Sequence, residues 1–166
     1  CIRDSGTTAL IVASVGGYES CVQALLDAGA DKEAKNEYGE TALLWASENG
    51  HKSCVQALLD AGADKDTKNK DGSTALIRAS QNGHGSCVQA LLDAGADKDA
   101  KNKYTGKTAL IWASYNGHES CVQALLDAGA DKDAKDKDGK TALIRASENG
   151  HGPCVQALLD AGADKD

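Results

Sequence analysis

Apolar residues along this chain fall into two short blocks that alternate with polar stretches. In the segment from 68 to 100, Ala75, Leu76 and Ala79 with the small Ser80 mark one face of a helix about two turns long. Cys87, Val88, Leu91 and Leu92 follow at the i, i+1, i+4, i+5 spacing of a second apolar stripe, predicting a helix from about His84 to Asp93. Thr74 stands where a hydroxyl can accept from an orphan N–H of the first turn. Asn82-Gly83 suits the left-handed position that ends a helix, and Gly95 stops the second one. Lys68-Asn69-Lys70-Asp71-Gly72-Ser73 reads as a turn, with Gly72 free to take positive φ. No strand pattern extends beyond such a turn.

The same pattern is written five times. Cys-Val-Gln-Ala-Leu-Leu-Asp-Ala-Gly-Ala-Asp-Lys begins at Cys21, Cys54, Cys87, Cys121 and Cys154, with gaps of 33, 33, 34 and 33 residues. Thr-Ala-Leu precedes each copy, from Thr8, Thr41, Thr74, Thr108 and Thr141. A fixed period of this length marks a stacked-repeat solenoid, whose units cannot bury their apolar faces alone. The 166 residues therefore read as one domain, an all-α array of antiparallel helix pairs with projecting turns. Its units cover about 1–34, 35–67, 68–100, 101–134 and 135–166.

The order Gly-x-Thr-x-Leu, Ala, Asn-Gly-His, Val-x-x-Leu-Leu-x-x-Gly-Ala-Asp resembles the ankyrin repeat over essentially the whole chain. That resemblance implies an ankyrin-repeat solenoid with β-turn or hairpin loops, and a non-catalytic scaffold for protein–protein interaction. Two departures stand out. Ala42, Ala75, Ala109 and Ala142 occupy the usual proline position, and Ile11, Leu44, Ile77, Ile111 and Ile144 replace the usual histidine. The second change exchanges a hydrogen-bonding tie for apolar packing. Pro153 falls at the start of a helix, where proline is tolerated.

Composition narrows the reading further. The chain has no Phe and no Met, so Ala, Leu and Val must fill a thin core with no room for a large ligand. A net charge of -7 argues against general affinity for nucleic acid. No apolar run approaches the roughly 18 residues needed to span a bilayer. No targeting signal is visible. Cysteines at one equivalent position read as small buried hydrophobes, since stacked helices stand roughly 8–10 Å apart and a disulfide needs Cα atoms within about 7 Å. Cys1 lies outside that column as a candidate free thiol. Unpaired cysteines favour a reducing compartment, hence an intracellular setting, cytoplasmic or nuclear, and a host cell if the chain is a secreted effector.

Other repeated polar groups read as structural. His51, His84, His118 and His151, with Tyr18 in the first unit, are too sparse to clasp one metal ion and are expected to tie each inter-helix turn to its neighbour. Asp131-Lys-Asp-Ala-Lys-Asp136-Lys-Asp138-Gly139 has the look of a calcium loop, but Ala134 and Arg145 stand where ligands are required, so it reads as a solvated loop. No catalytic constellation, cofactor site or metal site is expected.

Function is sought where the copies differ. One column reads Val12, Trp45, Arg78, Trp112, Arg145; another reads Val15, Glu48, Gln81, Tyr115, Glu148. The resemblance implies that both face a concave groove beneath the loops. Loop tips vary as Ser5, Tyr38, Asp71, Tyr104-Thr105 and Asp138, with one inserted residue near Tyr104. Trp, Tyr and Arg dominate binding hot spots. The expected protein-binding residues are Trp45, Arg78, Trp112, Arg145, Glu48, Gln81, Tyr115, Glu148, Tyr38 and Tyr104. Alternating Trp and Arg suggests a ladder tied by cation–π contacts, and its basic groups hint at a partner bearing carboxylates. The alternative is a consensus-like array, or part of a longer one, without a dedicated partner. Apolar patterning in the first and last units leaves a monomer or end-to-end association through uncapped ends.

Overall fold

A computed structural model describes residues 6–165. Among them lie ten helices and no strand. The first helices of the units are α1 (Ala9–Gly16), α3 (Ala42–Glu48), α5 (Ala75–Gln81), α7 (Ala109–Asn116) and α9 (Ala142–Glu148). The second helices are α2 (Glu19–Asp27), α4 (Lys52–Asp60), α6 (Gly85–Asp93), α8 (Glu119–Asp127) and α10 (Gly152–Asp160). First helices pack on first helices and second on second, so the main helix contacts among the described residues run between adjacent units in the series.

Each first helix starts at the threonine that the sequence singles out. Thr74 Oγ1 accepts from Ile77 N at 3.3 Å, and the other four threonines do likewise. Such a cap is worth about 1 kcal/mol. The ends are equally local: His84 N donates to Ala79 O at 2.9 Å across Gly83, whose φ is 78°. Thr-Ala-Leu then delivers one buried face. Leu43, Leu44, Leu76, Ile77, Leu110 and Ile111 are all essentially inaccessible. Replacing histidine by Ile or Leu therefore extends the core at Ile11, Leu44, Ile77 and Ile111, as expected, but not at Ile144, which is exposed in the last unit.

Second helices bury Cys, Val and Leu, while Leu59, Leu92, Leu126 and Leu159 close the margin half-buried. Cys54, Cys87, Cys121 and Cys154 are buried, whereas Cys21 is exposed. The identical sequence around Cys21 has no preceding helix pair to cover it within the described residues. Cys1 and Ser5 lie outside them.

Three kinds of hydrogen bond stitch the joints. His51, His84, His118 and His151 place Nε2 at 2.9–3.1 Å from the carbonyls of Val15, Glu48, Gln81 and Tyr115. That is the inter-repeat tie read from the histidine column. The carboxylates of Glu33, Asp66, Asp99 and Asp133 accept the backbone N–H of Asp64, Asp97, Asp131 and Asp164 in the next unit at 2.8–2.9 Å. Turn tips are joined by Lys70 N to Tyr38 O, Lys103 N to Asp71 O and Lys137 N to Thr105 O. The acidic loops are thus seams as well as solvated surface.

Candidate functional site

The variable columns occupy the face of the first helices that lies under the turns. Contacts between helix and turn establish this directly: Arg78 Nη2 reaches Asp71 Oδ2 at 3.3 Å, and Arg145 reaches both Asp136 and Asp138. Helical spacing puts Trp45 with Glu48, Arg78 with Gln81, Trp112 with Tyr115, and Arg145 with Glu148 on one side of each helix. The backbone carbonyls of Val15, Glu48, Gln81 and Tyr115 meanwhile accept the neighbouring histidines. Side chains at this column are free to vary because its conserved duty belongs to the main chain.

Trp45 and Trp112 are half-buried and rest against the core. Their indole N–H groups are buried without a hydrogen-bond partner. Trp112 meets Tyr115 edge to face, with ring centroids 6.0 Å apart and planes at 84°. Tyr38 and Tyr104 stand out at the tips, 60% and 62% exposed. Register along the tips shows that Thr105 is the counterpart of Tyr38 and Asp71, so Tyr104 is the inserted residue. Asn102 Oδ1 absorbs the insertion by accepting from Tyr104 N, Thr105 N and Thr105 Oγ1.

The expected Trp–Arg ladder does not form. Each arginine instead turns to carboxylates. Arg78 lies between Asp71 and Glu48, at 3.3 and 3.7 Å. Arg145 is buried and binds Asp136 through Nε and Nη2 at 2.8 and 2.6 Å, Asp138 at 2.5 Å and Glu148 at 3.3 Å. An ion pair between two charged groups outweighs a cation–π contact at such a site. These basic groups are matched within the chain, which removes the charge argument for a carboxylate partner built on them. The loop read as solvated is so at Asp131, Asp133 and Asp138, but the Asp136 side chain is wholly buried under Arg145. Burial alone would raise the Asp136 pKa; hydrogen bonds from Arg145 and from the N–H groups of Lys140 and Asp138 outweigh it and hold the carboxyl below its usual range. Glu148 is lowered chiefly by its hydrogen bond to Lys140.

The cation that does meet the aromatic pair is Lys107. Its Nζ stands 4.2 Å from the Trp112 ring centroid and 4.0 Å from that of Tyr115. A second, looser contact sets Lys103 Nζ 5.7 Å from the Tyr104 ring. Lys107 lies outside the columns that sequence reasoning chose. The signal was available: the position after the turn glycine reads Thr7, Glu40, Ser73, Lys107, Lys140, as variable as any other. Among the described residues no group of three or more His, Cys, Asp or Glu could hold a metal ion, and no helix is long and apolar enough to cross a membrane.

Period, helix pairs and capped turns all agree with matches to family models. Ankyrin repeats in three copies match residues 28–102 and 76–166, and a single ankyrin repeat matches residues 5–37. The chain belongs to the ankyrin-repeat family. Ankyrin repeats generally mediate protein–protein interaction, and tandem helical units of this kind act as binding scaffolds. Comparison with curated proteins finds no match.

Proposed function

We propose that this ankyrin-repeat array is a non-catalytic module that holds another protein against the face beneath its turns, with the turn tips as a rim. One observation carries the reading. In a chain without Phe or Met, both tryptophans and three of the four tyrosines lie on that face or at its tips. Trp45, Trp112 and Tyr115 form the floor, Tyr38 and Tyr104 the rim, and Glu48, Gln81 and Glu148 the polar margin. Arg78 and Arg145 contribute through the carboxylates they hold, Asp71 and Asp138 at the tips. A stack of capped helices loses little entropy when a partner docks. Four buried, unpaired cysteines support a reducing, intracellular setting.

Affinity capture with the chain and with a Trp45→Ala/Trp112→Ala variant supplies the test. A specific partner is retained by the first and lost by the second. Tyr115→Ala, which removes less buried surface, then weakens that partner by more than about 1 kcal/mol with helical circular dichroism unchanged. Binding by Tyr115→Ala and by the double variant that is undiminished from that of the parent chain places the interface elsewhere. The second reading, an array without a dedicated partner, draws on the near-identity of the second helices. It requires that no protein distinguish the variants.

A further inference from the structure

The position after the turn glycine is satisfied within the chain in three described units. Glu40 accepts from Asn36 Nδ2 at 3.0 Å, Ser73 Oγ accepts from Asn102 Nδ2 at 2.8 Å, and Lys140 is paired with Glu148. Lys107 differs. Only 8% of it is exposed, and its ammonium, which is not wholly closed from solvent, makes no hydrogen bond among the described residues and rests on the rings of Trp112 and Tyr115. Ring faces stabilise the charge but offer no directed acceptor to its three donors. The closest carboxylates are already engaged: Asp136 and Asp138 by Arg145, and Glu148 by Lys140 and Arg145. Burial, followed by repulsion from Arg145, lowers the Lys107 pKa, as expected of a cation short of partners. The ammonium keeps an opening to solvent through which an outside acceptor can reach it, and with most of the side chain already covered such a bond gains more here than at a fully exposed lysine.

We propose that Lys107 is the reading point for one carboxylate of a bound protein, set beside the Trp112–Tyr115 pair. This deepens the function proposed above and rests on it. A single negative charge fits better than a phosphate dianion. Asp138, with 70% of its side chain exposed, and Glu148, with 39%, flank the cluster and would repel the second charge. The apolar edges of the two rings suit hydrophobic residues on either side of the carboxylate.

Nuclear magnetic resonance of lysine Nζ through the Cε protons tests this on the intact chain. The Lys107 signal is identified by its loss in Lys107→Met, a substitution whose thioether suits an aromatic pair. The probes are acetyl-Leu-Glu-Leu-amide, the same peptide with Gln, and acetyl-Leu-Gln-Leu with a free C-terminal carboxylate. The Glu peptide, the free acid or both should move the Lys107 signal saturably, and which one acts identifies the source of the carboxylate. The amidated Gln peptide should bind roughly tenfold more weakly. A Lys107 signal unmoved by either carboxylate, or moved equally by the amidated Gln peptide, overturns the proposal. If Trp112 and Tyr115 ring signals respond while Lys107 stays still, the binding face survives and only its carboxylate preference falls.

Discussion

Asn36, Asn69, Asn102 and Asp136 occupy one position and do one job: a side-chain oxygen accepts two backbone N–H groups and closes the turn. Asp136 adds a charge, and Arg145 answers it from below. Because its folded pKa lies below the ordinary 3.8, this carboxylate stabilises the fold above that pH and ceases to do so as pH falls through the lower folded value. Asp136→Asn keeps the turn, as asparagine does in three other units, and should cost about 1 kcal/mol at neutral pH through the lost charge-assisted bond. Urea unfolding midpoints of the two proteins should converge as pH drops through the carboxylate range. A constant gap would show that Arg145 derives nothing from that charge.

At the scale of elements, the joint between two helix pairs depends on a glycine and a histidine that meet across units. Gly50 has φ 75°, and a Cβ there would come within 2.5 Å of His84 Nδ1. Gly62 has φ 77° with nothing within 4 Å. Both positions resist a side chain through the backbone alone, at about 1 kcal/mol for alanine. Gly50→Ala must also push the His84 ring off the Glu48 carbonyl, so it should destabilise by roughly 1 kcal/mol more than Gly62→Ala. Thermal unfolding of the two variants checks the difference, and equal losses would leave the histidine tie without energetic weight. Glycine at these turns was legible from sequence; that only one of the two faces a ring across the joint was not.

Across the whole molecule, identical sequences acquire different environments from their place in the stack. Five cysteines share one local sequence, but only Cys54, Cys87, Cys121 and Cys154 have a helix pair packed over them. Burial raises the pKa of all four, that of Cys121 to about 11. Alkylation of the native protein at neutral pH, followed by peptide mapping, should modify Cys21 rapidly and spare those four until denaturant is added. Rapid native labelling of Cys87 or Cys121 would show that the internal joints open readily. High pH gives the matching stability effect. A thiol whose folded pKa is raised favours the folded state below the unfolded value of 9.0, and that advantage is lost as pH climbs through about 11. For Cys121 the loss is on the order of 2 kcal/mol and should vanish in Cys121→Ala. The end units also leave Ile144 exposed where Leu44, Ile77 and Ile111 are buried, and Val12, Val15 and Tyr18 exposed where the inner units are half-buried.

Period, helix boundaries, caps and the apolar face are local consequences of spacing and backbone chemistry, so the chain alone determined them. Leu44, Ile77 and Ile111 are buried because 3.6-residue periodicity puts them on the stripe shared by neighbouring units. Charge pairing was decided only in three dimensions. Arg145 meets Asp136 nine residues away and Lys107 meets Trp112 and Tyr115, because the turn folds back over the first helix of its own unit. A column-by-column reading compares equivalent positions and is blind to such contacts between columns. Opposite charges brought together by the turn paired with each other, and the aromatic pair took a cation that no carboxylate among the described residues holds in an ion pair.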